Sequence, residues 1–98
     1  MNLNIGNIVV WGSRHYDYMK KSRPSTVSVM RMNGTLEGYL KQVNEHAAEM
    51  LDALIRQYAK SEGVTETLKT SDQLEWVRRM NNIRSRAEEV VFQEIINQ

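Results

Sequence analysis

Between Leu36 and Tyr58 the apolar side chains fall at Leu36, Leu40, Val43, Ala47, Met50, Leu54 and Tyr58, in steps of four and three. That is the period of an α-helix buried along one side, and a strand, which alternates every second residue, does not produce it. Leu51 and Ile55 widen the stripe beyond a coiled-coil seam, as a core-facing helix requires. Thr35 is placed to cap the helix, and Gly63 to end it after about seven turns. A second stripe follows in Trp76, Met80, Ile83, Ala87, Val90 and Val91, on a helix running to about Ile96, with Thr70, Ser71 and Asp72 competing for its N-cap. The turn from Val64 to Thr70 can bury Leu68. So short a connection predicts that the second helix returns antiparallel along the first, giving a long helical hairpin over residues 35–96.

The amino-terminal third is built from shorter pieces. Tyr16 and Met19, spaced among Arg14, Tyr18 and Lys21, predict a short helix from Ser13 to about Ser22, and Arg23-Pro24 stops it because the residue before proline avoids the α region. Pro24 suits the first turn of a new helix to about Met32, with Val27 and Met30 or Met32 facing inward, and Asn33-Gly34 ends it. From Leu3 to Trp11 a loose alternation around Gly6-Asn7 allows a small β-hairpin with a type II′ turn, leaning on the helices through Ile8, Val10 or Trp11. Ninety-eight residues hold one core of ordinary domain size. The expected fold is therefore a single all-α domain over residues 1–98, with the small hairpin in 1–11, two short basic helices in 13–32 and the helical hairpin in 35–96.

Composition excludes much chemistry. With no cysteine the chain has no disulfide, thiolate zinc site, iron–sulfur cluster or cysteine nucleophile. Of its two histidines, His46 shares a helical face with Glu49, but a metal site in a helical bundle draws further carboxylate and histidine ligands from several helices. Ser13 follows Gly12 without a nucleophile elbow or an evident base, and the five glycines form no phosphate-binding loop. The expectation is a protein that is not an enzyme and uses no metal or cofactor. Ile8-Val9-Val10-Trp11, the longest apolar run near the start, falls well short of the ~20 residues of a membrane span or of a secretory core, so the chain reads as cytoplasmic.

The net charge of +1 hides an asymmetry. Residues 1–32 carry five basic side chains against Asp17 alone, and the remaining 66 carry eight basic against eleven acidic. Arg14, His15, Lys20, Lys21 and Arg23, interleaved with Tyr16 and Tyr18, offer the cations and stacking groups that suit nucleic acid. The competing reading is a solvated helix with its tyrosines packed inward. A helix-turn-helix around Asn33-Gly34 would present Thr35, Glu37, Gly38 and Lys41 to the major groove, where Glu37 would oppose the phosphates. On the last helix Arg79, Asn82 and Arg86 form one polar stripe, with Arg78 and Arg84 nearby, and arginine suits fixed planar recognition of phosphate or carboxylate. Against that stands intrahelical pairing of Glu75 with Arg79, Arg84 with Glu88 and Arg86 with Glu89, each worth a few tenths of a kcal/mol by rough estimate.

The block Glu62-Gly63-Val64-Thr65-Glu66, Leu68-Lys69 and the run from Asp72 through Trp76-Val77-Arg78-Arg79-Met80-Asn81-Asn82-Ile83-Arg84-Ser85-Arg86 to Glu89 resembles the transposon-encoded TnpV family. The likeness extends upstream through Arg23-Pro24, Gly34, Leu36 and Leu40, over nearly the whole chain. Departures fall at Ser13, where a basic residue would follow the glycine, and at Asn97, where the family often carries tyrosine. The resemblance implies an accessory protein of bacterial mobile elements without established enzymatic activity, for which an excisionase-like DNA-binding role beside a recombinase is a common suggestion.

Two readings follow. In the first, the protein binds DNA or a recombinase, with Arg14, Lys20, Lys21 and Arg23 on phosphates and Arg78, Arg79, Asn82 and Arg86 as a second surface. In the alternative it is a small protein-binding inhibitor or adaptor aimed at a host nuclease such as a CRISPR effector, its acidic body covering a nucleic-acid groove. A stripe as wide as that of the long helices also leaves room for a homodimer.

Overall fold

The computed structural model describes residues 9–96. Among them are five helices, α1 (Val9–Ser22), α2 (Pro24–Asn33), α3 (Leu36–Ser61), α4 (Glu66–Ser71) and α5 (Gln73–Ile96), and no strand. The hairpin expected over Leu3–Trp11 fails where it can be seen: Val9 to Trp11 are the first turn of α1, and the rest of that segment lies outside the described residues. The physical reason is spacing. Trp11, His15 and Met19 follow one another at intervals of four, all three are buried, and this helical stripe draws the apolar run into the helix.

The chain divides into two compact units, residues 1–48 with 94–98 and residues 49–93, so the boundaries fall inside α3 and near the end of α5. In the first unit Met19, Val27, Leu36 and Leu40 form a buried cluster, against which Tyr16, Tyr18, Met30 and Tyr39 pack. Of the two methionines offered for the inner face of α2, Met30 is half-buried and Met32 is exposed. Pro24 occupies the start of α2, where its missing N–H costs nothing, and Arg23 before it, at φ −139° and ψ 58°, lies outside the helical region and breaks the helical run. At the other end Gly34 takes φ 78°, and the Gly34 and Thr35 N–H groups both donate to the Met30 carbonyl. The Thr35 hydroxyl does not cap α3. It donates to Asn33 Oδ1 at 2.6 Å, because the turn places that acceptor closer. The first turn of α1 is capped from α3, with the Trp11 and Gly12 N–H groups donating to Asn44 Oδ1 at 3.1 and 3.4 Å.

In the second unit Val64, Ile83, Ala87 and Val91 are buried. The turn expected from Val64 to Thr70 contains the start of α4, and its buried residue is Val64, ahead of that helix, while Leu68 within it stays half-buried. Val90, expected inside, is 39% exposed. Steps of four from Ile83 through Ala87 to Val91 rotate it off the buried line. Asp72 is the N-cap of α5: its Oδ1 accepts from the Glu75 N–H at 3.2 Å and its carbonyl from the Trp76 N–H at 3.0 Å. Thr70 and Ser71 instead hydrogen-bond back to carbonyls of α4.

Helix α3 closes in a Schellman motif, with Val64 N–H donating to the Ala59 carbonyl and Gly63 N–H to that of Lys60. Gly63 has φ 71°, and a Cβ there would meet nothing within 4 Å. Gly63→Ala is therefore expected to cost about 1 kcal/mol through backbone strain alone. Gly63→Asn should cost less, and urea denaturation of both variants checks the order.

Among the described residues no helix is long and apolar enough to cross a membrane, and no group of three or more histidine, aspartate or glutamate side chains is placed to hold a metal ion.

Candidate functional site

Two charged surfaces stand out, one in each unit. In the first, α1 and α2 carry the basic cluster. Arg14, Lys20, Lys21 and Arg23 are all exposed. The Arg14 guanidinium lies 4.8 Å from the Trp11 ring centroid, so part of its face rests on an aromatic plane. Lys20 Nζ sits 3.3 Å from Asp17 Oδ1 and 4.5 Å from the Tyr16 ring centroid. From α2, Arg31 Nη2 donates to the Tyr16 hydroxyl, and its guanidinium carbon is 6.0 Å from the same ring. Two cations from two helices thus converge on one tyrosine, and Tyr16 holds them side by side. This unit has six basic side chains against four acidic ones.

His15 does not belong to that cluster. It is fully buried, with Nδ1 3.2 Å from the Ile95 carbonyl oxygen and Nε2 2.9 Å from the Tyr39 hydroxyl. A carbonyl only accepts, so Nδ1 carries the proton, and in the neutral ring Nε2 accepts from Tyr39. Burial lowers the His15 pKa, the Ile95 carbonyl partly opposes that by favouring the charged ring, and the Arg23 charge lowers it further. The ring ties α1 to α3 and to the last turn of α5 within this unit.

In the second unit the arginines of α5 have distinct roles. Glu75, in the first turn, accepts from Arg79 Nε at 2.7 Å and from Arg78 Nη2. The Arg79 hydrogen bond, with the Arg78 charge behind it, holds Glu75 below the usual carboxylate range despite some desolvation. The expected Glu75–Arg79 pair is present, whereas among the described residues neither Arg84–Glu88 nor Arg86–Glu89 forms. Arg86 turns to the end of α3 and to Glu62 just beyond it instead. Its Nη2 is 2.8 Å from both Glu62 oxygens, its Nε donates to Asn82 Oδ1 at 2.9 Å, and its guanidinium carbon is 5.4 Å from the Tyr58 ring centroid. Beside this network Glu62, Arg78, Arg79 and Asn82 line an open cleft of about 320 Å³.

The sequence model of one family, described as transposon-encoded protein TnpV, matches residues 2–96. The chain belongs to the TnpV family. It is thus a transposon-encoded protein, and the match spans both charged surfaces. No curated protein and no solved structure is significantly similar to it.

Of the sequence-predicted residues of this TnpV-family chain, the fold brings Arg78, Arg79 and Asn82 to one cleft and leaves Lys21 and Arg23 exposed on α1 and at its junction with α2. It commits Arg86 to Glu62. Sequence reasoning missed Arg31, Tyr58 and Glu62 as members of these sites. Glu62 stands 24 positions from Arg86, beyond any helical spacing, so no local pattern could have paired them. His15 could have been found, since it occupies the middle of the Trp11–Met19 stripe.

Proposed function

We propose that this TnpV-family protein acts without catalysis, as an accessory of its mobile element that binds DNA through phosphate contacts from the α1–α2 surface. The observation that carries this reading is the convergence of Lys20 and Arg31 on Tyr16, beside exposed Lys21 and Arg23. Cations held in place by an aromatic ring lose less side-chain freedom on meeting a phosphate than free lysines do. Phosphate contacts of this kind position a protein on a duplex and carry no sequence information themselves.

Binding of this type must weaken steeply with salt. Four phosphate contacts give a slope near −3.6 in log affinity against log salt, so affinity should fall about 100-fold between 50 and 200 mM. Fluorescence anisotropy with a labelled duplex from the element end tests this. The triple variant Lys20→Gln, Lys21→Gln, Arg23→Gln should reduce the slope by roughly 2.7. Absence of any complex at low salt would sink the reading. Retention of a protein partner by such a DNA-silent chain would favour an inhibitor or adaptor role in its place.

A further inference from the structure

The cleft on residues 49–93 lies apart from the α1–α2 surface in sequence, and its chemistry is decided by which polar atoms remain to face it. Arg86 Nε can only donate, so the Asn82 atom that meets it at 2.9 Å is the carbonyl oxygen. The Asn82 amide nitrogen, with two donors, is therefore the end left over. Glu62 is the acid of the cleft wall, and both of its oxygens are taken by Arg86 Nη2. Arg78 engages Glu75 through one Nη, and Arg79 through Nε, so each guanidinium keeps further N–H donors. A single carboxylate thus orients two adjacent arginines without exhausting either. Three arginines stand against two carboxylates across this cluster, and the excess is one positive charge.

We propose that the Arg78–Arg79–Asn82 cleft is a binding site for a phosphate group. Two guanidinium groups and an amide present donors from three side chains, as a tetrahedral oxyanion with several acceptor oxygens requires. A planar carboxylate needs only one guanidinium fork. The cleft, at about 320 Å³, is at the small end of ligand sites and is large enough for a phosphate ester carrying a small organic group. Glu75 and Arg86 act as positioning residues, the first for the two arginines and the second for the Asn82 amide. This inference does not depend on the α1–α2 reading, and either can fail alone.

Inorganic phosphate is the probe. Titrated into the isotope-labelled full chain at low and constant ionic strength, it should shift the Asn82 side-chain amide and the Arg78 and Arg79 Nε–H resonances, with saturation. Asn82→Asp is the decisive variant. A carboxylate at 82 still accepts from Arg86, so the network and the fold are kept, but the donors facing the cleft become acceptors. Phosphate affinity should drop about tenfold or more. Glu62→Gln removes negative charge from the wall and should tighten binding severalfold. Unchanged affinity in Asn82→Asp, or shifts confined to α1 and α2, would overturn the proposal. So would acetate binding as tightly as phosphate, which would make this a carboxylate site. A 5′-phosphorylated dinucleotide in the second arm identifies the source: tighter binding than inorganic phosphate assigns the site to a nucleic-acid end, weaker binding to a free anion, and both support phosphate chemistry.

Discussion

Leu40→Ala is expected to destabilise the protein by about 2–5 kcal/mol, the range for removing a buried leucine and leaving part of its volume empty. Leu40 is 0% exposed and packs with Met19 of α1, Val27 of α2 and Leu36 of its own helix. Three helices contribute to this one cluster, and none can collapse inward without dragging Tyr16 and Tyr39, which pack against it. Since a domain of this size has a total stability of about 5–15 kcal/mol, the loss is a large share of it. Urea denaturation followed by circular dichroism measures the shift, and a wild-type midpoint would refute the packing described here. Leu40→Met keeps the volume and should cost under about 1.5 kcal/mol. Because α1 and α2 rest on this cluster, the alanine variant should also loosen the side-by-side placement of Lys20 and Arg31 on Tyr16 before it unfolds completely.

The second large effect belongs to His15. His15→Ala leaves the Tyr39 hydroxyl and the Ile95 carbonyl without their partners and opens a void among buried side chains, at a cost of about 2–4 kcal/mol. Acid should reach the same interaction by another route. The unfolded group titrates near 6.5 and the folded one below that, held down by burial and by Arg23. The neutral ring therefore contributes its full stability above pH 6.5. That contribution falls as the pH drops below 6.5 and is gone once the folded pKa is passed. Tyr39 softens the loss, because its hydroxyl can turn from donor to acceptor for a charged ring, and Tyr18 contributes only a neutral ring 6.3 Å away. Denaturation at pH 7.5, 6.5 and 5.5 should show the gap between wild type and His15→Gln narrowing toward acid. A gap that stays constant would mean that the ring titrates alike in the folded and unfolded chain, as an exposed ring does, and a gap that widens toward acid would mean that the folded ring is charged.

Helical periodicity made most of the fold legible. The steps of four and three through Leu36, Leu40, Val43 and Ala47, and the punctuation at Pro24, Gly34 and Gly63, are local signals, and the helices follow them. The two short amino-terminal helices were legible, and the hairpin reading fails at Val9–Trp11 because the competing helical signal needed a histidine to be counted as an inward residue. In the candidate sites, charge and residue type were visible but partners were not. Arg86 looks like its neighbours Arg78 and Arg79 on a helical projection. Only the approach of Glu62 and Tyr58 separates an arginine that braces two helices from arginines that face a cleft. Asn82 likewise looked like one more polar residue of a stripe, and its amide acquires a direction only through Arg86.

The division into two compact units also places one of the chain's two tryptophans in each. Trp11 is buried in the unit that holds the α1–α2 surface, with the Arg14 guanidinium over its ring, and Trp76 is half-buried in the unit that holds the cleft, with Lys69 Nζ 4.9 Å from its ring centroid. Intrinsic fluorescence is therefore a two-channel signal: a single-tryptophan variant reports on one unit, and the paired variant on the other. The two proposed binding reactions can then be tested on the same molecule without a label at either surface.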